Sequence, residues 1–560
     1  MALHLAWERQ FIYGSDFVFT YGPLGFLSTR LSTLKEWYLI SDLFVYLIYS
    51  TTLVLIWNKQ KTILAKLSIL AALLALNPPV GHQEISLGFF FCSAFFVLRY
   101  VFSGGIYWLS LAGALSAVSF YLKLNAGLVA GCLFLFTILY LAVCKKSVFP
   151  AFFSYIVVMF LGATLLSIDF FSYLENGIEI AKGYTEAMAL YPEGDRLQLL
   201  YSAIFYFVLF LIVGVSNLKL IFKDRRHIIL WIWVSALLFL VFKQGFVRAD
   251  HHTLTFIHWI APISGLLLFY LPKSSGAFAI FILSLMISFN HERLSVDYWK
   301  KCFNDKLKYW SQIKEERALP EPGVILPEKI LSMIGEGTVD LIPHHMEAVS
   351  RHNYLPRPVF QSYAAYTPKL DKLNAYNLKS QFIVFNLESI DGRYPWFDES
   401  RTKLRLYELY EPILTEENWI LLKRREKPQI CHEKPLSTVI ARPRKKVSIP
   451  ESNGLVYADI EIRYTLIGEL LKLFFQPPIP QIDFHLKDAT AMSFAAIRPI
   501  ISEHVLISRF LDNNDDAEKF FKGEFDRLRK VDSIRFFLND SPAFKKEIKY
   551  TFKEVLCLEQ

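Results

Sequence analysis

The stretch AGLVAGCLFLFTILYLAVC, residues 126–144, decides how the chain is read. It carries no charged side chain and is close to the roughly 20 apolar residues that a helix needs to cross a hydrocarbon layer. Working outward, apolar segments of similar character recur near 37–57, 62–77, 84–103, 106–122, 151–168, 198–216, 228–242, 256–271 and 276–290. The expectation is a polytopic α-helical membrane domain of about ten spans. Composition agrees: 53% of the 560 residues are hydrophobic and 16% aromatic, with a mean hydropathy of +0.31. Those values exclude a single soluble domain. The apolar residues crowd the first half and the charged ones the second, so a soluble appendage succeeds the spans.

Charge in the loops sets the orientation. Lys59 and Lys61, Lys145 and Lys146, Lys219 with Lys223, Arg225 and Arg226, and Lys273 fall in alternate loops. By the positive-inside rule those loops are cytoplasmic. The opening residues, loops 169–197 and 243–255, and everything after about 291 then lie on the far side. The C-terminal domains are therefore expected to be extracytoplasmic. Residues 1–6 are too short to span the bilayer or to export Trp7 and its neighbours, so a further helix upstream of Met1 is expected, the alternative being an N-terminus translocated unaided. The net charge of +8 does not imply nucleic acid, because no basic run is interleaved with aromatics.

The expected division is a first loop over 1–36, a transmembrane domain over 37–292, an α/β domain over 293–434, a linker over 435–450 and a β-sandwich over 451–560. In the α/β part, short strands are expected at 339–342, 358–361, 382–385 and 419–423. Helices are expected at 343–351, 368–378 and 402–413, giving strand–helix alternation. The linker is rich in Pro, Arg and Lys. Beyond it the apolar period switches to two, as in Ala458, Ile460, Ile462 and Tyr464, which is the pattern of half-buried strands. Six cysteines are scattered; Cys302, Cys431 and Cys557 allow at most one disulfide in the soluble part. No spacing fits a zinc site.

Chemistry is expected on the far side. Residues 7–27, WERQFIYGSDFVFTYGPLGFL, are too polar to span and too aromatic for a solvated tail. They read as a structured loop presenting Glu8 and Asp16, either of which suits a general base. A second cluster holds Lys243, Arg248, Asp250, His251 and His252 within ten residues. Its cations suit a phosphate and its histidines suit a metal or proton transfer. Lys123 stands between two apolar segments, where an ionisable group is a functional candidate. His82 and Glu84 form a lesser polar group. Loop 169–197 reads as an amphipathic helix. In the soluble part Arg357, Gln361, Tyr363 and Tyr366 suit a sugar, but the favoured reading is structural, a strand end and a helix cap held by local hydrogen bonds; Asp391-Gly392-Arg393-Tyr394 reads as a turn.

The acidic first outer loop with its Tyr-Gly-Pro-Leu turn, the many short spans and the outer C-terminal domain resemble the GT-C glycosyltransferases. That resemblance implies transfer of a sugar from a polyprenyl-phosphate donor to an extracytoplasmic acceptor. It places the catalytic carboxylate at Asp16, with Glu8 as second choice, and the lipid phosphate on Lys123, Lys243 and Arg248. The sequence departs from the Asp-Glu pair of some members, since Phe17 comes directly after Asp16. DFVFTYGPLGFL (16–27), PRPVFQSYAAYTP (356–368) and SIDGRYP (389–395) also resemble a group of uncharacterised bacterial membrane proteins, a likeness that brings no activity. The expected partners are a lipid-linked sugar donor, membrane lipids and envelope-assembly proteins. No cofactor is expected, a divalent metal being left open. The rival expectation is a non-catalytic transporter or assembly protein for an envelope polymer.

Overall fold

A computed structural model describes residues 2–29, 85–290 and 323–558, with Leu47, Val54, Lys300 and Asn304. The segments expected at 37–57 and 62–77, together with His82, Glu84 and Cys302, lie outside the described residues. Among the described residues, five helices are long and apolar enough to cross a membrane: Ile85–Ser103, Leu124–Val143, Asp195–Ser216, Arg226–Phe246 and Thr253–Tyr270. Between them run the shorter apolar helices Ile106–Leu122, Phe149–Leu165 and Ser275–Asn290. Phe149–Leu165 buries only Ala151 and Tyr155, and leaves Phe153, Phe160 and Leu165 exposed. Asp195–Ser216 likewise exposes Phe205, Leu211 and Val215. Apolar faces of this extent need a non-aqueous neighbour, and a helix satisfies its own backbone there. The N-terminal half is therefore a membrane-embedded helical layer.

Small and hydroxylated side chains hold the layer together, as they do where lipid removes the hydrophobic drive between helices. Ser93 donates to the Ala112 carbonyl at 2.9 Å and meets the Ser116 hydroxyl at 2.7 Å. Trp233 Nε1 donates to Thr137 Oγ1 at 3.0 Å, and Tyr206 meets Ser264 at 2.8 Å.

The soluble half begins with strands β1 (Val339–Ile342), β2 (Phe382–Phe385), β3 (Tyr410–Glu416) and β4 (Trp419–Arg424), in the order β1-β2-β4-β3. β1 and β2 are parallel and the other pairs antiparallel. Helix Pro368–Tyr376 forms where expected, with Pro368 in its first turn and Thr367 as cap. Other expectations fail. The helix expected at 343–351 is only the 3₁₀ turn Met346–Ala348, and 358–361 joins no ladder. Its backbone is satisfied elsewhere: Pro358 accepts from Val18 N and Val359 N donates to Asn374 Oδ1, each at 2.8 Å. The helix expected over 402–413 ends at Leu409, because β3 takes over at Tyr410 and pairs with β4.

The remaining strands are β5 (Ile430–Ala441), β6 (Val447–Ser448), β7 (Leu455–Tyr464), β8 (Gln481–Leu486), β9 (Ala491–Ala495), β10 (Val505–Leu506), β11 (Arg509–Phe510), β12 (Arg529–Phe537) and β13 (Phe544–Leu558). They form two sheets, β10-β7-β13-β5 and β11-β12-β8-β9, with β6 added on β12. Phe536 of one sheet meets Tyr550 of the other at 6.1 Å between ring centroids. The linker expected at 435–450 is thus corrected: most of β5 and all of β6 lie inside it. β5 is an edge strand with mostly exposed side chains, so its own sequence shows little of the pairing that β13 imposes. Pro435 is tolerated at the irregular step beside Lys553. Cys431 and Cys557, register partners on β5 and β13, form a disulfide.

Helix Phe170–Ala187 joins the two halves. Asp169 caps it, its carboxylate accepting from Ser172 N at 3.2 Å and from Ser172 Oγ at 2.7 Å. One face, including Tyr173, Ile180, Gly183 and Glu186, is buried. A Cβ on Gly183 would lie 2.3 Å from that of Tyr366, so glycine lets this helix rest directly on the 356–368 segment.

Candidate functional site

The opening stretch is ordered and wedged between the halves. On the membrane side, Gly22 N and Leu24 N donate to the carbonyls of Leu122 and Tyr121, at 3.1 and 2.9 Å. Tyr13 N donates to Ser167 O at 3.0 Å, and Gly14 takes a φ of +101° beneath the Asn176 amide, which donates to its carbonyl at 2.9 Å. On the soluble side, Phe17 stacks on Phe360 at 5.2 Å. Arg9 donates to the carbonyls of Tyr354, Ser350 and His352.

Neither of its two acids is buried. Asp16 is partly exposed and lies 4.0 Å from Lys379 Nζ. Glu8 is exposed at the end of helix Ala2–Glu8. Lys123 does meet the loop, but through Tyr21, whose ring lies 4.6 Å below its Nζ and whose backbone bridges to it.

Lys243 closes helix Arg226–Phe246 and donates to the carbonyls of Lys472 and Phe475, each at 2.9 Å. Lys472 and Arg498 both hold Glu186 at 2.7 Å, and Tyr464 donates to the same carboxylate at 2.9 Å. Burial raises the Glu186 pKa, but the Arg498 and Lys472 bonds outweigh it and the net shift is downward. Two cations thus hold one buried carboxylate, with Lys243 beside them at the end of an apolar helix. Gln476 fastens the corner, its amide donating to Leu190 O at 3.0 Å and Val247 O at 2.8 Å.

Loop 247–252 carries the rest of the expected cluster. Arg248 Nε donates to Asp250 at 2.7 Å, and its Nη atoms reach Asp391 at 2.6 and 3.1 Å. The Asp391 bonds hold the guanidinium charged and raise its pKa. Asp250 accepts from the His252 backbone at 3.0 Å and lies 2.5 Å from His252 Nδ1. Burial would raise this carboxyl, yet the His252 bonds bring it down to about 2. A carboxylate on Nδ1 orients an imidazole so that Nε2 can take a proton. His251 is mostly exposed and 3.4 Å from Asp250; burial and the charge of His252 lower its pKa. Asp250, His251 and His252 offer atoms close enough for a metal, but the Arg248 cation already lies against Asp250.

The turn at 389–395 clasps the junction. Arg393 donates to Tyr363 O at 3.1 Å and to Ala187 O. The Tyr363 ring lies 5.4 Å from His344. Burial raises its hydroxyl pKa, against the charges of Arg248 and Arg393. Arg357 takes the structural role rather than the sugar-binding one. Its side chain has no exposed surface, and it donates to Glu399, Asp340, Ser362 and the carbonyls of Leu341 and Pro343. It holds the domain together and has no face left for a sugar. Tyr366 is buried too.

Sequence reasoning missed His344, His345 and Glu388. His345 Nε2 lies 3.0 Å from Glu388 and its Nδ1 lies 3.3 Å from Glu347. The His-His pair directly after an apolar strand and a proline was the available signal. No protein-family profile matches the chain, and no curated protein sequence matches it.

Proposed function

We propose that the chain is a membrane glycosyltransferase that moves a sugar from a polyprenyl-phosphate donor to an extracytoplasmic acceptor. Under this reading the Asp250–His252 pair, rather than Asp16 or Glu8, takes the proton. The acceptor hydroxyl oxygen attacks the anomeric carbon, the bond from that carbon to the phosphate oxygen breaks, and polyprenyl phosphate leaves. The hydroxyl proton passes to His252 Nε2, while Asp250 holds the ring and stabilises the imidazolium. Lys243, with Lys472 and Arg498 nearby, supplies positive charge for the departing phosphate, the kind of preorganised charge that dominates such barriers. One observation carries the reading: a carboxylate-held imidazole stands on a loop between two apolar helices, against the soluble half. There a lipid-borne phosphate and a soluble acceptor would meet.

The GT-C resemblance and the disulfide support the topology, since disulfides persist in oxidising compartments. The two facing antiparallel sheets fit a sandwich that presents the acceptor. The test is to incubate the purified chain, in membranes supplying acceptors, with polyprenyl-phosphate hexoses and to measure free polyprenyl phosphate. Release above that of membranes lacking the chain is expected; its absence across the hexose panel would remove the enzyme reading.

A second reading, a non-catalytic assembly protein, is favoured by one observation. Arg248 is engaged by Asp250 and Asp391, Lys243 by two carbonyls, and Asp16 stands apart, as in a welded junction. A charged transport path has less support. Among the described residues, Arg99 is the charged side chain in the body of the five long helices, away from their end turns.

A further inference from the structure

The geometry points to a divalent transition-metal site formed by His344, His345 and Glu388, outside the proposed transfer site. One ligand atom from each lies within 4.8 Å of the other two. Ligands of a tetrahedral zinc stand roughly 3.3 Å apart, so a movement of about 1 Å in these side chains closes the set. The second coordination layer is already built. A metal-ligating histidine almost always donates its other ring N–H to a carboxylate or carbonyl; with His345 Nε2 turned to the ligand Glu388, Glu347 lies 3.3 Å from its Nδ1.

His344 adds an independent sign. Its Nδ1 is buried without a hydrogen-bond partner, a costly state for a polar atom unless something else takes its lone pair or proton. The trio also sits just beyond the carboxyl ends of β1 and β2, neighbouring parallel strands, where ligands of open α/β sheets bind. Two imidazoles and one carboxylate select Zn²⁺ or a neighbouring first-row ion over Mg²⁺ or Ca²⁺. Three protein ligands leave a position open, and the Tyr363 ring lies 5.4 Å from that of His344.

The test uses the full chain in detergent, stripped with chelator and titrated with Co²⁺ while visible absorption is monitored. One Co²⁺ per chain, displaced by Zn²⁺, is expected. H345A and E388Q should each weaken uptake at least 10-fold, and E347Q, which touches no metal, by about 10- to 100-fold. H251A should titrate as wild type. The proposal is overturned if the wild type takes up no Co²⁺ at micromolar concentration. It is equally overturned if E388Q and E347Q, eluting as folded chains, titrate like the wild type.

We also infer that helix Leu466–Phe474, in the soluble half, dips into the same lipid layer as the apolar helices. It exposes Leu466, Ile467, Leu470, Leu473 and Phe474, with Leu466 77% accessible, and buries only Gly468. That face continues the surface of helix Arg226–Phe246: Phe474 packs on Phe239 and Phe475 on Phe242, each at 6.2 Å. An amphipathic helix so placed lies in the interface plane with its apolar side in acyl chains. Leu470→p-benzoylphenylalanine, reconstituted in phosphatidylethanolamine–phosphatidylglycerol vesicles and irradiated, should yield a lipid adduct by mass spectrometry. The same label at Leu211, exposed on Asp195–Ser216, is the positive control. Adducts at 211 with none at 470 would overturn the inference.

Discussion

Arg248 and Asp391 lie 2.6 Å apart although 143 residues separate them in the chain. One stands on a loop between apolar helices and the other on the turn at 389–395. The pair therefore ties the helical layer to the soluble half beside the proposed base.

Cutting that tie should loosen loop 247–252. Both side chains are mostly buried, so D391A should cost about 2 kcal/mol locally, the range for a hydrogen bond to a charged group. Hydrogen exchange at 247–253 should speed up roughly 10- to 50-fold. The swap R248D/D391R should recover part of the protection, since coupled pairs are non-additive.

Glu186 makes the junction acid-sensitive. Its folded pKa lies below the ordinary value of 4.5. The stability it contributes is therefore complete above about pH 4.5 and is lost as pH falls through the lower folded value. Thermal unfolding in detergent should show a midpoint that drops on acidification below about pH 4.5. E186Q should lose about 3 kcal/mol at neutral pH and flatten that drop.

Arg357 should prove structural. Its guanidinium lies between Glu399 and Asp340, both buried, and removing one member of a buried ion group leaves charge unpaired. R357M should cost about 3–5 kcal/mol. Protein accumulation and unfolding midpoint should fall, with no selective loss of sugar affinity in the chain that remains folded.

The Cys431–Cys557 disulfide closes a long loop between β5 and β13. Mass spectrometry after alkylation without reductant should leave both residues unlabelled. C431S/C557S should destabilise the β-rich part by about 2–5 kcal/mol, read as a lower denaturant midpoint.

Much of this was legible because period and charge act locally. The uncharged run at 126–144 is the helix Leu124–Val143, and the period-two stretch at 458–464 lies in β7. Loop 169–197, read as an amphipathic helix, holds helix Phe170–Ala187 with Asp169 as its cap. What was not legible depended on distant partners. β5 is a strand because β13 covers its backbone, not because its exposed side chains alternate. The apolar run Pro358–Phe360 is covered by Phe17 and bonded by Val18 instead of joining a sheet, and no local pattern shows that. Among the site residues, Arg248, Asp250, His252 and Tyr363 fall along one seam, while Asp16, favoured by resemblance, lies against Lys379. His344 and His345 carried a local signal, paired imidazoles at a strand end, but their partner Glu388 is more than forty residues away in the chain.

The most direct measurement compares H252Q, D250N and D16N in the polyprenyl-phosphate release assay, with each variant matched for accumulation. The account predicts that H252Q and D250N each lose at least about 100-fold in turnover, the size of a general-base contribution, while D16N stays within about threefold of wild type. Loss confined to D16N, with H252Q active, would contradict it and return the base to the opening loop.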